Sequence, residues 1–178
     1  MALISDILAF FQLVATHPGI GHAPAADPPV DRFYGFNFEE FETKSKSTPN
    51  FFPCLGLSDS PHSGLQGSYT ATDTSITSIT GINVLVLDSV KMGDYDAEYE
   101  LYDRLKPVCD DLINYIQWRV AQGPLSTYRF LDVIDLSSIN LVRVGPKGTA
   151  KAYGWKISIA FRQRGINQNT NPLNTILG

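Results

Sequence analysis

The sequence predicts an α+β fold: a small mixed or antiparallel β-sheet packed against a long helix and an N-terminal helix, with a long arm rich in proline, glycine and aromatics. Three observations predict it. Leu101, Leu105, Val108, Leu112, Ile116 and Val120 recur at steps of three and four, one continuous apolar face at the helical period. Ile82, Val84 and Val86 in INVLVLD recur at period two, as do Tyr153, Trp155, Ile157, Ile159 and Phe161 in AYGWKISIAF. Between residues 17 and 75, seven of the 11 prolines and six glycines interrupt both periods.

Taken in order, Leu3, Ile4, Ile7, Phe11 and Val14 place an amphipathic helix before His17-Pro18-Gly19. The segment has the apolar look of a secretory leader, but no Lys or Arg precedes it, Asp6 interrupts it, and no small-x-small cleavage site follows. Residues 17–75 form the extended arm, too punctuated for long elements and too long for an ordinary connection. Its aromatics (Phe33, Tyr34, Phe36, Phe38, Phe41, Phe51, Phe52) are uncharacteristic of a linker, so the arm is expected to dock, on its own core or on a neighbouring subunit. SYTATDTSITS is either a partner strand for INVLVLD or the end of the arm, and Gly81 marks a bulge or bend. The long helix starts on Asp94 or Asp96 as N-cap, runs through Pro107 as one kinked helix, and stops at Gly123-Pro124. FLDVIDL is expected to be a strand, and SINLVRV, GPKGTAK and AYGWKISIAFRQ a β-hairpin. The tail, 165–178, is polar and expected to be loose, and the whole of 1–178 reads as one domain.

Composition narrows the class. With 43% hydrophobic and 18% charged residues the chain has the balance of a globular protein, and no apolar run approaches the roughly 18 residues of a membrane span. Cys54 and Cys109 stand alone, with neither zinc spacing nor a disulfide framework, which fits a reducing cytosol. Cys109, among helical apolar residues, reads as a small core hydrophobe. The net charge of −4 is unevenly spread: residues through Asp111 hold 16 acidic and 6 basic side chains, those from Leu112 onward 2 and 8. Opposite-sign surfaces are therefore available for head-to-tail contact between copies, unless the fold interleaves the charges so that they cancel.

KMGDYDAEYELYDRL is the most chemical-looking stretch. A metal or acid/base site needs carboxylates that converge, whereas Asp94, Asp96, Glu98 and Glu100 alternate, and residues two apart on a helix diverge by about 200°. The calcium-loop template fails as well: no glycine follows D-x-D-x-E, and the twelfth position is Leu105. Carboxylates at a helix start are explained by the dipole, at about 0.3–1 kcal/mol each. His17, His22 and His62 lie in the arm outside any metal or nucleophile motif, GIG is no dinucleotide fingerprint, GPKGTAK is no phosphate loop, and no hydrolase elbow occurs. Neither an enzyme nor a cofactor is predicted. The basic hairpin (Arg143, Lys147, Lys151, Lys156, Arg162, Arg164) is interleaved with Tyr153 and Trp155, but those rings belong to the apolar face, and a pI near 5.2 opposes a dedicated nucleic-acid binder. A charged edge that meets acidic partner surfaces is the expectation.

This order of elements resembles the small α+β proteins at the head–tail neck of tailed bacteriophages, the tail terminator and tail completion proteins. The resemblance covers roughly residues 1–16 and 76–164 and is carried by ISDILAFFQLV, INVLVLD, DYDAEYELYDRLKPVCDDLINYI and INLVRVGPKGTAKAYGWKISIAF. The aromatic arm is longer than those proteins carry. The resemblance implies a structural virion protein, assembled in the host cytoplasm, that forms a homo-oligomeric ring. Such a ring joins the tail to the connector, touches neighbouring neck and tail-tube proteins, and passes phage DNA through its lumen unread, without a membrane. The interface would then use Asp96, Glu98 and Glu100 against Arg143, Lys147 and Lys151, with Phe36 and Phe38 from the arm, so that loop 145–151 and arm 30–60 contact other subunits. The alternatives are a monomeric binding or adaptor module using the arm's aromatics and an enzyme with a carboxylate site.

Overall fold

The computed structural model describes residues 4–58, 62–67, 76–91, 93–122 and 128–164. The elements run α1 (Ile4–Val14), β1 (Phe33–Tyr34), α2 (Phe38–Ser47), β2 (Cys54–Leu57), β3 (His62–Gly67), β4 (Ile76–Ser89), α3 (Tyr95–Ala121), a 3-10 segment (Arg129–Val133), β5 (Ile134–Lys147) and β6 (Ala152–Arg164). The fold is α+β, as the patterning predicts. Strands lie in the order β1-β2-β4-β6-β5, and β3 pairs with the first part of β4. Among the described residues β1 and β2 pair in parallel and the other strand pairs are antiparallel, so the sheet is mixed.

β4 and β6 form its spine, in register from Thr77 opposite Arg164 to Ser89 opposite Ala152. β4 is apolar on both sides because both of its faces are covered. Ile82, Val84 and Val86 enter the main core with α1 and α3, while Leu85 and Leu87 enter a second, smaller core with α2. The molecule is therefore three-layered, with α1 and α3 on one face of the sheet and α2 on the other.

The long helix is continuous through Pro107 and spans 27 residues. Its inward positions are Leu101, Leu105, Val108, Leu112 and Ile116, as the spacing predicts, and Tyr102 and Cys109 widen the buried stripe. Asp94 is the N-cap, its Oδ1 accepting from the Ala97 amide at 3.1 Å. On α1 the buried residues are Ile7, Phe10, Phe11 and Val14. Phe10 packs on Tyr115, Tyr128 and Phe130 and so ties α1 to α3 and to the 3-10 segment.

Two expectations are corrected. FLDVIDL is not one strand: Arg129–Val133 is a 3-10 segment, and β5 starts only at Ile134. Phe130 and Leu131 are both fully buried, and a strand would send such neighbours to opposite faces, whereas a tight turn seats them together. Nor is GPKGTAK all turn. β5 runs to Lys147 with a register shift after Val144, and the reversal is confined to Gly148–Lys151, where Gly148 (φ 63°) and Lys151 (φ 50°) are left-handed. The expected tail 165–178 and the Gly123-Pro124 stop lie outside the described residues.

The arm docks on its own sheet. It supplies β1, β2, β3 and α2, and Tyr34, Phe41, Phe51 and Cys54 build the second core against Leu85, Leu87 and Ala152. Tyr34 lies flat on Gly56, where a Cβ would stand 1.9 Å from its ring, so only glycine fits. Polar tethers hold the connecting loops. Arg32 donates to the Ile20 and Asn50 carbonyls at 2.7 and 2.9 Å, and Lys44 donates to the Phe33 carbonyl while pairing with Asp31 and Glu40.

Candidate functional site

Three surface features stand out, two on the side of the sheet where α3 begins and one on the opposite face. The first is the start of α3. Asp94, Asp96 and Glu100 are exposed and Glu98 is half-buried, and Asp96, Glu98 and Glu100 form no ion pair among the described residues. Asp94 is engaged as the cap, and no group of His, Cys, Asp and Glu suited to a metal ion occurs among the described residues. Tyr95 and Tyr99 project beside these carboxylates, 72% and 62% exposed.

Arg143 is the second feature. Its guanidinium lies over the rings of Tyr102 and Trp155, 5.0 and 5.4 Å from their centroids. Tyr102 also donates to the Val144 carbonyl at 3.2 Å, and the Trp155 indole N–H donates to the Tyr102 carbonyl at 2.9 Å. Burial, and then the nearby Glu98 carboxylate, push the Tyr102 phenol above its ordinary range. The predicted acidic and basic residues Glu98 and Arg143 thus meet around one tyrosine of the same chain, so part of the charge split is absorbed within the fold.

The third feature is a groove of about 340 Å³ on the α2 face, lined by Tyr34, Phe38, Leu57, Ser58, Leu85 and Lys147. The sequence singled out Phe38 and Lys147 separately, and the structure brings them together. Phe38 is 40% exposed and stacks obliquely on Phe41. Phe36 is half-buried against the main core, away from this lining.

The hairpin turn itself packs on the arm. Glu42 of α2 accepts from the amide of Thr149 at 2.8 Å and from its hydroxyl, which holds the Glu42 carboxyl below its ordinary range. The turn carrying Lys151 and the arm, both expected to touch other subunits, therefore touch each other within one chain. Spacing held no signal for this contact, which spans 107 positions.

Four other titratable groups are shifted by burial. Asp88 pairs with Arg104 at 2.7 Å, and burial raises its carboxyl. Burial pushes the Cys109 thiol up to about 12 and that of Cys54 well above the ordinary range, as befits inert core cysteines. His22 is buried: its Nδ1 accepts from the Arg32 amide at 3.1 Å, and its Nε2 has no hydrogen-bond partner among the described residues. Burial lowers its pKa in spite of Asp31 at 3.6 Å.

The residues that sequence reasoning passed over are Tyr95, Tyr99, Leu57 and Leu85. The two tyrosines were within reach, because they sit one turn apart and off the apolar stripe of α3. The groove was not, since its walls come from β1, α2, β2, β4 and β5. By class this is a three-layer α+β fold, and its candidate site is a pair of surfaces. No known family model matches the chain, and no curated protein does either.

Proposed function

We propose that the chain is a structural subunit of a homo-oligomeric ring, of the tail-terminator kind, at the head–tail neck of a tailed phage. The observation that carries this reading is the placement of opposite charges. The acidic, tyrosine-bearing start of α3 lies on one face of the sheet and the Lys147-rimmed groove on the other, and no ion pair joins them among the described residues. Complementary surfaces on opposite faces favour contacts that repeat from copy to copy, and repeats that close make rings. The order α1, buried strand, Asp94-capped helix and hairpin, on which the resemblance rests, supports it further. In this reading the ring joins tail and connector in the virion, and DNA passes through its lumen without base recognition.

A monomeric binding module is the rival, and the groove is what favours it. The arm offers that rival little else, because Phe33, Tyr34, Phe41 and Phe51 are turned inward. Electron micrographs and solution mass of the purified protein separate the two. Closed rings support the proposal, and a monomer at every concentration overturns it.

A further inference from the structure

Tyr95 and Tyr99 are the most exposed large apolar side chains among the described residues. Four positions apart, they form one ridge along the first turns of α3, flanked by Asp96, Glu100 and Asp103. Neither ring meets another ring among the described residues. Tyrosine with its polar tip is the side chain that interfaces favour as an anchor, and it gains most when a pocket removes it from water.

The groove on the opposite face has the matching chemistry. Phe38 supplies its exposed apolar surface over the buried Tyr34, Leu57 and Leu85, and Lys147 lines it without an ion pair among the described residues. Its volume of about 340 Å³ is at the small end of the roughly 300–1,000 Å³ of ligand pockets, suited to an inserted side chain rather than a large cofactor.

We propose that the Tyr95–Tyr99 ridge of one copy seats in the Phe38–Lys147 groove of a second copy, with Asp96 and Glu100 facing Lys147. This rests on the ring reading above and names the contact that would build it. Charge decides between this ridge and the other exposed aromatic of α3. Trp118, 53% exposed, has Arg119 over its ring, the same sign as Lys147, and already stacks on Tyr115. The tyrosine ridge brings carboxylates instead. Because ridge and groove occupy opposite faces, each copy donates to one neighbour and accepts from the other, a heterologous contact.

Complementation in solution tests it, with mass followed by light scattering against protein concentration. Tyr95→Ala/Tyr99→Ala has a dead ridge and a live groove, and Lys147→Glu the reverse. Each alone is expected to weaken assembly by about tenfold or more, so that monomer dominates where the unmodified chain is oligomeric. Mixed one to one, the two restore a single junction and stop at a dimer, which also shows that both are folded. Unmodified rings that both variants still form would overturn the docking and leave the ring reading standing. Variants that are monomeric alone and stay monomeric when mixed would overturn the docking in the same way. An unmodified chain that stays monomeric throughout would overturn both.

Discussion

The two faces of the sheet are built differently. On one, α1 and α3 bury long apolar stripes in a single core that runs from Ile7 to Ile159. The chain there is locally periodic, and tight packing follows from the pattern. On the other, a short helix and irregular loops are held by a few aromatics and by polar tethers through Arg32, Lys44 and Glu42. Packing there is incomplete and leaves the groove. A face made by periodic helices is thus joined by one continuous apolar core, although a cavity of about 260 Å³ lined by Leu13, His17, Asp111 and Tyr115 remains between α1 and α3. A face made by an irregular arm rests on a smaller core and has its groove beside Phe38 and Lys147.

The largest break in this contrast should come from the helical face. Leu105→Ala removes a fully buried side chain between α3 and the sheet and is expected to cost about 2–5 kcal/mol. Urea unfolding should show this as a lowered midpoint at unchanged slope. Next is Gly56→Ala on the arm face. Its methyl group would collide with the Tyr34 ring, at a cost of about 1–3 kcal/mol. Hydrogen exchange should quicken in α2 before α3, and a uniform increase would deny that the two faces differ in stability.

Asp94→Ala removes the cap of α3 and is expected to cost about 1 kcal/mol, with Asp94→Asn nearly neutral. Thermal melts of the two variants measure the difference.

The smallest expected effect is a pH dependence confined to the arm. Burial depresses the His22 pKa, so as pH falls below the ordinary 6.5 the unfolded chain takes up a proton that the folded chain resists. Stability from this group is present above that value and is lost as pH falls towards the folded pKa. The groups facing the ring are Asp31, which opposes the shift, and Lys44, which reinforces it. His22→Gln should flatten the melting temperature between pH 7 and pH 5 relative to the unmodified chain. An unchanged slope would assign the dependence to other groups.

Periodicity by itself determined the α+β class, the continuous α3 through Pro107, the buried β4 and the one-sided β6, because each of these patterns repeats over a few residues. It also showed that the stretch from Asp94 departs from the calcium-loop template, lacking its glycine and its twelfth-position carboxylate. Only the tertiary structure decided where the arm lies, that Glu42 meets Thr149, and that Phe38 and Lys147 share one groove. Those pairings join positions 107 and 109 apart, and their geometry depends on strand order and sheet face rather than on local spacing. The 3-10 segment was hidden for a related reason. Phe130 and Leu131 read as strand residues until the core on which both must pack is in place.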